Sequence, residues 1–177
     1  MIRKLFAAVF LMTILFLSQN VHAHEYFTYQ AHVEGLGWMQ PVGDGEVVGT
    51  TGQARRMEAL IIDFRDGIRY SAHVENIGWQ DWVYSGDVAG TVGQNLRMEA
   101  IRIQLIGRAE QYLDVYYRAH VQNIGWLGWA KNGEPAGTAG AALRLEALQI
   151  KLVRRGRHFD RDDKPSFYQR VPNVPTV

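Results

Sequence analysis

Apolar and polar residues alternate with a period of two over three separated stretches of the chain. Arg97, Glu99, Ile101, Ile103 and Leu105 fall on one side of an extended segment, while Leu96, Met98, Ala100, Arg102 and Gln104 fall on the other. The same march returns as Arg56, Glu58, Leu60, Ile62 and Phe64, and again as Arg144, Glu146, Leu148, Ile150 and Leu152. Alternation predicts strands. It outweighs the helix propensity of Arg, Met, Glu, Ala and Leu, because the intervening glycines leave no room for a sustained helical face. Upstream of the second stretch, Tyr70, Ala72 and Val74 oppose Ser71, His73 and Glu75, which predicts a further strand over 70–74. Another is expected over 79–84, ending at Ser85-Gly86; Asp44-Gly45 and Asn132-Gly133 stand at the matching places. Such pairs between extended runs read as hairpin turns, because their central positions favour positive φ. A short run then precedes Gly-Thr-x-Gly, present at 49–52, 90–93 and 137–140, which reads as a tight turn.

These elements belong to a 36-residue unit repeated three times, at 29–64, 70–105 and 117–152, with fourteen columns identical in all copies. A repeat at this period is one supersecondary unit that cannot bury its apolar face alone. Four strands per copy predict about twelve in all. An open stack would expose sheet edges and need distinct capping repeats, and propellers usually need ~four or more blades. The expected fold is therefore all-β: a single closed pseudo-threefold domain over 24–152, β-trefoil-like or β-prism-like. The link at 106–116 reads as a surface loop. Residues 153–177, charged and then proline-bearing, read as a tail or linker.

Before the repeats, Arg3 and Lys4 lead into the apolar run 5–17 and then Val21-His22-Ala23, the order of a secretory signal peptide cleaved after Ala23. Thirteen apolar residues fall short of the ~20 that a spanning helix needs. The expected mature chain, from His24, carries no membrane span and has a formal charge of about −1, since the leader removes two of nineteen basic residues against eighteen acidic ones. That balance gives no basic surplus for nucleic acid. Cysteine is absent, so an exported chain of this kind must rely on packing rather than disulfides.

Residues present once per copy point first to the scaffold. The pairs Arg56/Glu58, Arg97/Glu99 and Arg144/Glu146 share a strand side with the aliphatics and are expected to be structural, forming a half-buried ion-pair ring near the axis that fixes register. A glycosidase would need two carboxylates in different environments, which three equivalent copies do not supply. His32, His73 and His120 could meet at one axis as a metal site, but their spacing carries no metal signature, and they read as hydrogen-bonded structural residues. No cofactor motif is present, and no catalytic residue is assigned. Trp38, Trp79 and Trp126 share a side with Val42, Val83 and Ala130, a core side by phase. Trp82 and Trp129 fall on the other, where the first copy has Pro41. Beside a turn followed by Asp87 or Glu134, they could stack on a sugar while carboxylates take its hydroxyls; the alternative is packing on a neighbouring copy. Trp82, Asp87, Trp129 and Glu134 are the candidate ligand-binding residues. The basic cluster Arg154, Arg155 and Arg157 reads as a solvated face.

The pattern Y-x-A-H-V-x-N-I-G-W-x-x-W, followed by x-G-x-x-A-G-T-x-G-x-x-L-R-x-E-A, resembles the ChW repeat, the clostridial hydrophobic repeat named for its tryptophan. Tyr70, His73, Val74, Gly78, Trp79, Gly86, Gly90, Thr91, Gly93, Arg97, Glu99 and Ala100 carry it, together with their third-copy equivalents. The first copy departs at Gly35-Leu36, Pro41 and Arg55, so a site built on the second tryptophan would be inactive there. The resemblance implies a secreted or surface-exposed bacterial protein engaged in adhesion or polysaccharide interaction, and it transfers no catalytic residue. The expected function is a non-enzymatic, lectin-like module for an extracellular glycan or cell-surface polymer. The alternatives are a structural or adhesive module binding a surface protein, and a polysaccharide hydrolase.

Overall fold

The computed structural model describes residues 26–170; the expected leader over 1–23, the start at His24 and residues 171–177 lie outside the described residues. The first copy folds as β1 (Phe27–Val33), β2 (Gly37–Trp38), β3 (Val47–Gly49) and β4 (Met57–Phe64). The second gives β5 (Ile68–Val74), β6 (Gly78–Trp79), β7 (Val83–Tyr84), β8 (Val88–Gly90) and β9 (Met98–Leu105). A 3-10 turn at Ala109–Gln111 precedes the third, β10 (Leu113–Val121), β11 (Gly125–Trp126), β12 (Ala130–Lys131), β13 (Ala136–Ala139) and β14 (Leu145–Arg154). A last strand, β15 (Phe167–Gln169), follows. The described residues are all-β and form three sheets, each built on one copy's antiparallel pair of long strands.

The turns expected to close hairpins instead carry the chain from one sheet to the next. β7 pairs with β5 of its own copy, but β8, beyond Ser85-Gly86, pairs with β4 of the first copy. In the same way β13 pairs with β9, and β3 of the first copy pairs with β14 of the third. Each copy lends its short strand to a neighbour, and no sheet closes on itself.

Two features make this exchange possible. The first is close approach: Gly90 faces Ala59, Gly137 faces Ala100 and Gly49 faces Ala147 across the borrowed edge. A Cβ on Gly90 would overlap the Glu58 carbonyl oxygen and sit 2.8 Å from the Ala59 Cα, and Gly90 has a φ of +98°. The glycine opening Gly-Thr-x-Gly is therefore an inter-copy contact, not only a turn. The second feature is a tyrosine plug. Tyr70 is fully buried, and its hydroxyl accepts from the Ile62 N–H at 3.0 Å while donating to the Asp87 carbonyl, which ties two copies together. Tyr117 bridges Ile103 (2.9 Å) and Glu134, and Tyr29 bridges Ile150 (3.2 Å) and Glu46. These backbone groups would otherwise be buried without partners.

Strict alternation fails at one repeated point. Met57 pairs with Val33 and Ala59 with His32, so Glu58 is the extra residue of a β-bulge; Glu99 and Glu146 occupy the same place in the other copies. A bulge shifts the side-chain phase by one. Met57, Met98 and Leu145 consequently join Leu60, Ile101 and Leu148 in the core, although alternation put them on the opposite side. One continuous apolar cluster draws on all three copies.

The segments outside the copies are also more ordered than composition suggests. The link after the second copy is short, because β10 already begins at Leu113, and the buried Ala109 donates its N–H to the Asp66 carbonyl at 3.1 Å. Beyond Leu152 the chain is not a free linker: β14 runs on to Arg154, and β15 pairs parallel with β13. The Gly128 N–H donates to the Pro165 carbonyl at 3.0 Å, and only a glycine fits there against the Lys164 carbonyl.

Two outcomes are expected. Gly90→Ala loses about 3 kcal/mol of stability through overlap and left-handed strain, whereas Gly93→Ala, with open space around its Cβ, loses only about 1 kcal/mol; urea unfolding midpoints distinguish the two. Burial pushes the Tyr70 hydroxyl from the ordinary 10.0 up to about 12, and burial raises Tyr29 and Tyr117 as well. The unfolded tyrosine ionises first, so this contribution is whole below pH 10 and is lost as the pH climbs through 12. For Tyr70 it amounts to something on the order of 2 kcal/mol. Denaturant titrations between pH 8 and pH 12 should show stability falling over that window, with tyrosinate absorbance rising cooperatively at unfolding.

Candidate functional site

Each copy carries the same buried polar cluster at its bulge. The Glu99 carboxylate, 4% exposed, accepts from Arg97 Nε at 3.0 Å and lies 3.2 Å from His73 Nδ1. Glu58 accepts from Arg56 Nε at 2.9 Å and meets His32 Nδ1 at 3.0 Å; Glu146 accepts from Arg144 Nε at 3.0 Å and lies 3.1 Å from His120 Nδ1. At His73 and His120 the contact is an ion-pair approach rather than an aligned hydrogen bond. Arg56 and Arg97 each reach a second acid, Glu34 and Glu75, while the third copy has Gln122 there. These pairs close within their own copies, so the expected ring joining the copies is not formed; the bulge turns each glutamate towards its own histidine. The histidines are each engaged separately, and no group of three or more ligand-type side chains that could bind a metal occurs among the described residues.

The histidine fixes the first tryptophan, and it does so away from the core. Trp79 is the register partner of His73, and the rings meet edge to face at 5.4 Å; His32/Trp38 and His120/Trp126 repeat the geometry. His73 alternates with the core residues Ala72 and Val74, so its partner tryptophan lies on the outer side. Trp79 and Trp126 are half-buried and Trp38 is 38% exposed. The expectation of a core position fails because the extended run breaks between Trp79 and Val83, and phase cannot be carried through the break.

The second tryptophans join the first through arginine. The Arg102 guanidinium lies 4.7 Å from the Trp79 ring centre and 4.5 Å from that of Trp82, and Arg69 covers Trp82 at 4.6 Å. In the third copy Arg118 sits 4.8 Å from Trp126 and 4.7 Å from Trp129. Arg102 is on β9 and Arg118 on β10, yet the places are cross-strand partners, since Ser71 faces Arg102 and Arg118 faces Gln149. Either strand can thus supply the cation between two indoles. The first copy has Gln30 facing Ile61, with Pro41 for the second indole, and leaves Trp38 unclamped.

The candidate binding residues are therefore already engaged. Trp82 lies between two guanidinium groups. Trp129 meets Phe159 edge to face at 5.1 Å, and Phe159 stacks on Tyr116 at 4.2 Å. Arg161 donates to the Trp129 carbonyl at 2.6 Å and to Glu134 Oε2 at 2.7 Å, so the C-terminal segment brings Trp129 and Glu134 together by occupying them. Asp87 Oδ2 and Glu134 Oε2 also close their own turns, accepting from the Tyr84 and Lys131 N–H groups at 3.1 and 2.9 Å. Beside the third turn, burial raises the Asp114 carboxyl, but hydrogen bonds from Lys131 and Asn132 outweigh that and hold it below the usual carboxylate range.

A cleft of about 180 Å³ lies open between the second copy's outer face and the C-terminal strand. Trp79 and Arg102 form one wall; Pro135, Phe167 and Gln169 form the other. Sequence reasoning did not find Arg102, Phe167 or Gln169. The adjacent aromatics Phe167 and Tyr168 within a charged terminal segment were a usable signal for the second wall, and the cross-strand exchange of arginine was one for the first.

The profile of the Clostridial hydrophobic W family, ChW, matches residues 32–65, 73–107 and 120–154. No curated protein and no solved structure matches the chain significantly. Matched over more than half its length, the chain belongs to the ChW family.

The packing of Trp129 has a direct check. Phe159→Ala should cost about 1 kcal/mol and shift tryptophan emission to the red with stronger acrylamide quenching. The same substitution placed in Trp129→Phe protein should leave the emission unchanged.

Proposed function

We propose that this ChW protein is a non-enzymatic carbohydrate-binding module that acts outside the cell, at the bacterial surface or released from it. The observation that carries the reading is the cleft beside Trp79, where an indole, an amide and a guanidinium line one small concavity. Sugar recognition combines an apolar ring face with a few placed hydrogen-bonding groups, and this wall supplies both. At about 180 Å³ the space is below the ~300 Å³ of pockets for drug-sized ligands, which suits a single sugar unit of a chain. Trp82 serves the site from behind, by packing on Arg102.

A binding role is further supported by the carboxylates. Glu58, Glu99 and Glu146 each face an arginine and a histidine in one repeated arrangement, whereas glycoside hydrolysis needs two carboxylates in different surroundings. The cyclic lending of short strands favours a β-prism over a β-trefoil for a closed pseudo-threefold body, because each sheet keeps its own face. The expected leader over 1–23 supports export. A second reading, adhesion to a surface protein, draws on Leu36 and Ile77, which are 49% and 51% exposed at equivalent turns.

Glycan-array screening followed by calorimetry tests the proposal. Trp79→Ala should weaken binding at least about tenfold, while Trp38→Ala, on the first sheet, leaves it unchanged. Absence of any glycan ligand, with cell attachment abolished by protease treatment of the target but indifferent to sugars, would replace it with the second reading.

A further inference from the structure

We infer that the sugar taken by the Trp79 cleft carries a carboxylate, as a uronic acid does; this rests on the carbohydrate-binding reading above. Arg102 is the only charged residue lining the cleft. Among the described residues it makes no ion pair with a carboxylate, and its buried Nε has no hydrogen-bond partner. Arg102 is the one arginine among the described residues with a buried nitrogen left without a partner. Arg56, Arg97 and Arg144 are matched by glutamates, Arg161 by Glu134, and Arg69 and Arg118 at least by Gln104 and Gln149. A guanidinium presents five donors in a planar fork that fits a carboxylate in two parallel hydrogen bonds. Stacking between the Trp79 and Trp82 rings holds that plane in place before any ligand arrives, so little side-chain freedom is lost on binding.

The opposite wall explains why there would be one such site rather than three. It comes from β15 and from Pro135, and β15 lies only along β13, at the edge of the second sheet. Arg118, the corresponding cation of the third sheet, is bonded through Nε to Gln149 at 2.8 Å. The first sheet has Ile61 at the place of Arg102. Threefold repetition builds the scaffold, and the cationic cleft forms where the C-terminal strand breaks that repetition.

The test uses the full mature chain and trisaccharides of galacturonic, glucuronic and mannuronic acid, each beside its carboxyl methyl ester, measured by calorimetry at low and at physiological salt. At least one acid should bind, with its ester at least about tenfold weaker, and the affinity should fall as salt rises. Arg102→Gln should remove the preference for the acid. Because that variant also loses two indole contacts, Gln169→Glu provides a second arm: it places a negative charge on the opposite wall and should weaken the acid more than its methyl ester. Equal binding of acid and ester would overturn the carboxylate while leaving carbohydrate binding intact. Retention of acid binding in both variants would overturn the site. Failure of every acidic and neutral glycan to bind would overturn the underlying reading, and this inference with it.

Discussion

The place where one copy's glycine meets a neighbouring copy's alanine, with a tyrosine hydroxyl beside it, is the contact on which the rest of the structure depends. Across Gly90 and Ala59 two backbones come close enough that no Cβ could stand between them, and Tyr70 occupies the gap just beyond, satisfying the Ile62 N–H and the Asp87 carbonyl together. A single copy offers a pair of long strands with one bare edge, which would be a site of uncontrolled pairing. Lending a short strand to the neighbour covers that edge, and lending from the first copy to the third covers the last one. Three copies are thus mutually dependent.

The bulge glutamates show how a polar cluster can serve such a scaffold. A carboxylate with little exposure is tolerable only when its lone pairs are filled. Glu99 accepts from Arg97, the residue just before β9, and has His73 of the partner strand within ion-pair distance. The histidine in turn orients Trp79. A chain of contacts therefore runs from the bulge to the indole on the outer surface in every copy, and it explains why Arg, Glu, His and Trp recur together: they are one mechanical unit.

What differs among the copies is how the outer indoles are finished. The second and third use a guanidinium between two rings, drawn from opposite strands, and the first omits both the arginine and the second ring. The C-terminal segment then treats the sheets unequally, covering Trp129 with Phe159 and Arg161 while running β15 beside Trp79 without filling the space between. A segment outside the repeats thus lays asymmetry of the outer faces over the symmetry of the scaffold.

The three copies, their strands and the all-β class were legible in the sequence by itself, because period-two alternation and fourteen repeated columns are local properties that no packing partner needs to supply. The candidate site was legible only in part. Trp79, Trp82 and Trp129 stood out as residues, but their orientation depended on a bulge at Glu99 and a strand break after Trp79, each of which resets the alternation used to assign sides. The Gly-Thr-x-Gly motif looked like a turn because a glycine's need for space against another copy leaves the same mark as its need for positive φ. Tertiary structure alone decided that the Asn-Gly type turns change sheets, that Arg102 and Arg118 are equivalent across a strand pair, and that the charged terminal segment folds back to make the second wall of a cleft. The physical reason is the same in each case: these contacts join residues remote in sequence, and their energy exists only once the copies have docked.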